Sequence, residues 1–166
     1  MAYAFIESRI MPKQSIASTA STAQVPVGTI VRAKDPTLGE GEFIYLQTIA
    51  SVTVGGLVTY RTLAAGSSVI AMTGTGTNQA SAVGVGMVAG VASTYAWFQI
   101  SGTAPVKKVA SIISANLALF VGATTGRVRK LSSAGKSILG MRSVASVAGA
   151  ISSVNATFNR PHLQGA

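Results

Sequence analysis

The stretch "KLSSAGKSIL", residues 130–139, ends in a Gly-Lys-Ser triplet of the kind that closes a nucleotide-binding P-loop. Such a loop also needs a glycine five positions before Gly135, so that its N–H groups can wrap around the phosphates. That position holds Lys130. An acidic residue must also hold the Mg²⁺ through its water shell, yet no Asp or Glu follows Glu42. The triplet therefore does not predict a nucleotide site.

Acid–base catalysis would have to use the few acidic residues, which are Glu7, Asp35, Glu40 and Glu42. Three of them fall in "KDPTLGEGEF", where Gly and Pro favour a solvated turn over a rigid carboxylate pair. The one histidine, His162, stands next to a proline near the C-terminus, where we expect no fixed geometry for a catalytic triad. With no Cys and a single His, a metal site is not expected either. The sequence predicts a protein that is not an enzyme and uses no cofactor.

Basic residues outnumber acidic ones by 13 to 4, which gives a formal net charge of +9. Such a protein prefers polyanions or acidic protein surfaces. Only 10% of the residues are charged and the mean hydropathy is +0.48, which is unusual for a surface that faces water alone. We infer that much of the surface meets another protein. Glu7 and Arg9 stand where a secretion signal needs apolar residues, so a signal peptide is not expected.

The middle of the chain, residues 62–106, has no charged residue. Within it, "ASAVGVGMVAGVASTYAWFQI" is long enough to cross a bilayer, and Gly86 and Gly90 have the spacing of a helix-dimer motif. However, the segment is built mainly from Gly, Ala, Ser, Thr and Val, which gain little on entering hydrocarbon. Buried or inter-subunit strands explain the same composition, and we favour them over a membrane span.

The chain divides into a predicted flexible N-terminal arm, residues 1–24, and a β-domain, residues 25–166. The arm is rich in small polar residues without a period. The rest consists of short β-branched and aromatic runs separated by turn residues, which predicts an all-β fold, either a jelly-roll-like sandwich or a small barrel. We expect tight hairpins at Gly55-Gly56 and between Arg127 and Arg142, the second with its turn at Gly135.

Two features leave the function open. Tyr95, Trp97 and Phe98 could stack on bases, which together with the positive charge suggests single-stranded nucleic-acid binding; alternatively, they fill a core, which we favour because aromatic side chains dominate cores. The basic residues of the second half have no acidic residue near them in sequence, so they predict a positive field for an acidic or phosphate-bearing partner.

Several segments resemble the small decoration, or cement, proteins of tailed-bacteriophage heads. They are "GEGEFIYLQTIASVTVGGLVTY", "YAWFQISGTAPVKKVA" and "LFVGATTGRVRKLSSAGKSILGMRSVASVAG", and the resemblance covers roughly residues 34–158. It implies a β-rich domain present in many copies on the outer capsid surface, where it bridges neighbouring major capsid protein subunits and has no enzymatic activity. No functional residue carries over individually from this family.

On this hypothesis the partners are the major capsid protein and further copies of the chain, as a dimer or trimer at a capsid symmetry axis; neither a membrane nor nucleic acid is expected. The arm and the segment from Arg127 to Arg142 would touch the capsid. The candidate contact residues are Arg9, Lys13, Lys107, Lys108, Arg127, Arg129, Lys130, Lys136 and Arg142. A basic nucleic-acid-binding barrel and a tail, neck or head-fibre component are the alternatives.

Overall fold

The computed structural model of the chain describes residues 4–5, 14–63, 66–71, 81–132 and 136–164. These residues form strands, turns and loops and contain no helix, so none of them forms a helix that could cross a membrane. The strands are β1 (Ala4–Phe5), β2 (Ile30–Asp35), β3 (Gly39–Thr48), β4 (Leu57–Leu63), β5 (Gly66–Ala71), β6 (Ala82–Gly86), β7 (Tyr95–Lys107), β8 (Ala118–Val121), β9 (Val128–Arg129), β10 (Ser137–Ser143) and β11 (Ser153–Leu163).

The strands form one sheet in the order β1-β2-β3-β5-β4-β6-β7-β11-β10-β8-β9, with β3 also pairing with β7 and β6 with β11. Neighbours are antiparallel except β3 and β5, which are parallel. No pairing of described residues joins the edge strands β1 and β9, so the sheet as a whole is not closed into a barrel. The all-β prediction is confirmed, and the architecture is sandwich-like.

Alternating side chains explain why these segments pair as they do. In β2 and β11, buried residues alternate with exposed ones along most of the strand, as expected when one face of a sheet packs on a core. In β2 the inward residues include Val31 and Ala33, and in β11 they include Val154, Ala156 and Phe158. The hydrophobic pattern therefore fixes which face of each strand is buried.

The long strand β7 connects two regions of the molecule. Its first half pairs with β3 and its second half with β11. Between them Gly102 has φ +105°, and a Cβ there would stand 2.4 Å from the carbonyl oxygen of Glu40, so only glycine fits this crossing. We call residues 14–48 and 95–101 the aromatic region, and residues 107–164 the basic region.

The predicted arm is wrong for its second half. Gln14 and Ile16 are buried, the Gln14 carbonyl accepts a hydrogen bond from Trp97 Nε1 (3.2 Å), and Ala20 forms a bridge with Tyr95. Residues 14–24 therefore belong to the domain, because they supply side chains and hydrogen bonds to its core. Further upstream, β1 pairs with β2.

Both predicted hairpins are also wrong. Gly55 has the expected positive φ, +72°, but the strands on either side of it, β3 and β4, are separated by β5. Similarly, β9 and β10 do not pair with each other, because β8 lies between them and pairs with both. The predicted turn at Gly135 lies outside the described residues. In each case the sequence predicts the strand segments correctly but predicts the wrong pairing between them.

Candidate partner-binding surface

The acidic residues that the structure describes are all held by partners within the chain. Asp35 is buried, and its Oδ1 accepts hydrogen bonds from the N–H groups of Thr37 and Leu38 at the turn after β2. Glu40 pairs with Arg32 and Glu42 with Arg160, each at 3.2 Å. Glu7 lies outside the described residues. The arrangement is that of structural turns and surface ion pairs.

His162 is an exposed residue of β11, opposite Leu139 of β10. The expected loose tail is therefore wrong at this position, because the strand continues to Leu163. Within the described part of the chain, no three His, Cys, Asp or Glu residues come together in a way that could hold a metal ion.

The aromatic side chains of the first half form a core. Trp97 and Phe98 are buried, and the Trp97 ring lies 4.9 Å from that of Tyr45, which also stacks on Tyr95. The Tyr45 hydroxyl donates to Oε1 of Gln14 and accepts from the N–H of Gln24. Burial raises the pKa of Tyr45 above its ordinary value, although the Gln24 hydrogen bond opposes the shift and Tyr95 adds to it. The Trp97 and Phe98 rings have no face open to a nucleic-acid base.

Lys108 is completely buried, although it was predicted to contact a partner. Its Nζ donates hydrogen bonds to the carbonyl oxygens of Ser111 (2.7 Å), Gly149 (3.2 Å) and Val109 (3.4 Å). The ammonium group thus joins the loop after β7 to the loop before β11. Because burial removes it from solvent, Lys108 is not a contact residue.

Strand register places three of the predicted contact residues on one face of the basic region. Opposed residues in a sheet, and residues two apart on one strand, point to the same side. Across neighbouring strands, Arg129 lies opposite Phe120, Ala118 opposite Arg142, Arg142 opposite Thr157, and Ser153 opposite Lys107. Along β8, Phe120 and Ala118 are two residues apart, and along β11, Thr157 and Ser153 are four apart, so all these side chains point to the same side. The opposite face carries buried residues such as Leu119, Met141, Val154 and Phe158. We call the side with Lys107, Arg129 and Arg142 the outer face.

The remaining predicted residues lie around this face or outside the described chain. Lys130 is exposed and Lys136 is half-buried, and both are in the segments between β9 and β10. Arg127 donates to the Lys108 carbonyl oxygen at 3.2 Å. Arg9 and Lys13 lie outside the described residues, so their role as contacts stays a prediction.

The surface of the basic region combines positive charge with exposed apolar side chains. Residues 107–164 contain eight basic residues and no acidic one. Large apolar side chains in the same region that reach solvent are Ile112, Leu131, Leu139, Val144 and Ile151. Arginine and apolar groups together, without Asp or Glu, are typical of the surface that binds an acidic protein partner.

Sequence reasoning missed the outer face as a unit, because register between distant strands defines it. It also missed a groove beside Arg142, for which the sequence offers one local signal, the glycine Gly140 inside a strand segment, since such a glycine often marks a bulge. Comparison of the chain with family models, with curated proteins and with solved structures gave no match in any of the three.

Proposed function

We propose that the chain is a virion structural protein of a tailed bacteriophage, which decorates and cements the icosahedral capsid by bridging neighbouring major capsid protein subunits. The resemblance over residues 34–158 suggests the class of protein. The observation that carries the proposal is the outer face, where strand register puts Lys107, Arg129 and Arg142 on the same side of a region without acidic residues. On this proposal the chain acts on the outer capsid surface, as a dimer or trimer, and without enzymatic activity.

Physical reasoning supports attachment through such a face. The Coulomb attraction of each basic side chain to an acidic surface is modest. Many copies bound across subunit boundaries nevertheless gain binding strength from multivalency. Exposed apolar side chains such as Leu131 and Ile112 add area to remove from water. A cement protein needs this combination, because it must hold neighbouring subunits together without a covalent bond.

The first test is quantitative mass spectrometry of gradient-purified virions, which compares the copy number of this chain with that of the major shell protein. We expect hundreds of copies in simple proportion to the shell subunits. A few copies per virion would move the proposal to a tail, neck or head-fibre component. Absence from virions would contradict it.

A second candidate is single-stranded nucleic-acid binding, favoured by the same basic face. Of the three aromatic residues first considered for stacking, Trp97 and Phe98 are buried, and Tyr95 is half-buried and stacks on Tyr45, so this function would rest mainly on phosphate contacts. Such binding weakens steeply with salt because bound counterions are released. Titration of a labelled oligonucleotide at several salt concentrations distinguishes the two, since we expect no tight complex at physiological salt.

A further inference from the structure

A groove of about 390 Å³ opens on the outer face of the basic region. Its walls come from three neighbouring strands and include Ala118 of β8, Leu139 and Arg142 of β10, and Thr157 and Asn159 of β11. None of these residues belongs to the aromatic core or to the ion pairs described above. The groove is therefore a separate feature that the charge of the surface does not by itself explain.

The groove exists because β10 loses its register with β8. Paired residues pass from Ser137 opposite Phe120 to Arg142 opposite Ala118, so that five steps along β10 correspond to two along β8. Residues 138–141 consequently have no paired residue on β8 among the described pairings. Residues 138–141 line the groove, and alternate residues among them direct main-chain N–H and C=O groups toward β8, as in any antiparallel strand.

A second irregularity, toward β11, keeps this opening in place. Leu139 lies opposite His162, but Met141 lies opposite Phe158, so Gly140 faces a bulge in β11. Gly140 has φ +78°, and a Cβ at this position would be 3.2 Å from the Asn159 carbonyl oxygen. A simple β-bulge inserts one extra residue into one strand, so the combined register shifts of β10 and β11 are larger than a simple bulge. The opening therefore follows from the register of the three strands.

The shape of the site suits an extended peptide. A strand rises about 3.3 Å per residue, so the four residues of β10 without a described partner on β8 match an extended segment of similar length. Added strands obtain affinity from main-chain hydrogen bonds and specificity from alternate side chains. Leu139, which is 42% exposed at the groove, offers an apolar contact to one such side chain.

The charge of the site indicates an acidic occupant. Arg142 is exposed, and its hydrogen bonds to described residues join Nη1 to the carbonyl and side-chain oxygens of Asn116. A guanidinium has five N–H donors, so the other nitrogen atoms can bind a carboxylate. A second copy of the chain fits this role poorly, because it brings a net charge of +9 and its described acidic residues are already paired within the chain.

We propose that this groove binds an extended acidic segment of a partner protein, with a carboxylate of that segment at Arg142 and an apolar side chain against Leu139. The role of the groove as a capsid contact rests on the proposed function, because the groove would be the part of the surface that recognises the shell. As a peptide site it is tested separately.

The experiment uses NMR of the ¹⁵N-labelled full chain titrated with a blocked pentapeptide of alternating valine and glutamate. We expect saturable shifts of the amides at Leu139, Gly140 and Thr157, and affinity about tenfold lower for the glutamine version of the peptide, because a charge-assisted bond is lost. The variant Arg142→Gln should likewise bind the glutamate peptide with about tenfold lower affinity than the unmodified chain. Arg32→Gln, which removes an exposed arginine of the aromatic region, is the matched control and should leave the affinity unchanged.

Absence of shifts at millimolar peptide, or equal binding of the two peptides, would overturn the groove as an acidic-peptide site. Leu139→Ser gives a second variant, with thermal unfolding of each variant as the folding control. Attachment to capsid shells that lack the chain tests the contact role. If unmodified protein fails to attach while the peptide binds, the capsid function is wrong and the groove stands. If Arg142→Gln attaches as well as the unmodified protein, the groove is not the capsid contact.

Discussion

The aromatic region and the basic region share the strand β7, but they satisfy their polar groups in opposite ways. In the aromatic region the indole N–H of Trp97 and the hydroxyl of Tyr45 bond to residue Gln14, and the carboxylates are paired. In the basic region, exposed side chains such as Arg142 and Lys130 form no ion pair with the acidic residues that the structure describes. The polar groups of the aromatic region thus bond within the chain, whereas the exposed basic groups at Arg142 and Lys130 are those that we propose bind a partner.

The two regions also differ in regularity. The pairing of β2 with β3 runs without interruption from Ile30 to Asp35, whereas β10 shifts register against both of its neighbours. Irregular pairing costs main-chain hydrogen bonds, and it persists where the surrounding core is large enough to tolerate it. The largest buried cluster lies beneath this irregular part. The comparison separates a region of regular strand pairing from an irregular region, and the irregular region is where we propose that a partner is recognised.

The largest expected effect is the loss of Trp97. Trp97→Ala removes a completely buried ring and its hydrogen bond to Gln14, and should lower the free energy of unfolding by about 3–5 kcal/mol. Urea unfolding measures this loss. Leu131→Ala, at a side chain that is 62% exposed in the basic region, is the control and should stay within about 0.5 kcal/mol of the unmodified protein. Similar losses for the two variants would contradict the division of roles.

The next effect concerns Lys108, a basic residue that serves the fold. Lys108→Met keeps most of the side-chain volume but leaves the carbonyl groups of Ser111, Gly149 and Val109 without their donor. We expect a loss of about 2–3 kcal/mol in unfolding free energy. Lys107→Met is the matched control, because this neighbouring lysine is only half-buried. If the two variants had the same free energy of unfolding, the hydrogen bonds of the Lys108 ammonium group would not stabilise the fold.

A smaller effect tests where the domain begins. Gln14→Ala removes the side chain that receives the Tyr45 hydroxyl and donates to the carbonyl oxygens of Ser18 and Tyr95. The expected loss is about 1–2 kcal/mol, measured by urea unfolding. Gln24→Ala, which changes an exposed side chain, should have almost no effect. If Gln14→Ala is also neutral, residues 14–24 do not stabilise the domain.

Much of the fold could be predicted from the sequence because it is local. Short β-branched runs and turn residues indicate an all-β chain, and Gly55 does adopt the positive φ expected for a turn. Pairing between strands is not local: β5 separates β3 from β4, and β8 separates β9 from β10. A turn signal shows that the chain reverses, but it does not show whether another strand enters between the two segments.

The candidate surface was predictable only in part for a related reason. The net charge indicates that a positive surface exists, but only the structure shows which basic side chains are exposed on it and which are buried. Lys107 and Lys108 are adjacent in sequence, yet the pleat of β7 and the loop after it place Lys107 on the outer face and Lys108 inside. Polar residues 14–24 looked unstructured because composition does not reveal that Gln14 finds buried hydrogen-bond partners.

The smallest effect is a pH dependence that belongs to the part of the chain outside the basic region, since residues 107–164 contain no tyrosine. Burial raises the pKa of Tyr45 and of Tyr60 above the ordinary value of 10.0, with Arg160 opposing the shift of Tyr60. The unfolded chain therefore ionises first, so the stability from these groups is complete below pH 10 and declines as pH rises through the folded-state pKa values.

The loss should begin near pH 10, because about half of the unfolded-state groups are then ionised and a smaller share of the folded-state groups. Urea unfolding between pH 8 and pH 11 measures the decline. The double variant Tyr45→Phe with Tyr60→Phe is less stable at pH 8, since the Tyr45 hydroxyl bonds are lost, but its stability should fall less steeply above pH 10. An unchanged slope would mean that the alkaline sensitivity arises elsewhere and that burial of the Tyr45 and Tyr60 hydroxyl groups does not cause it.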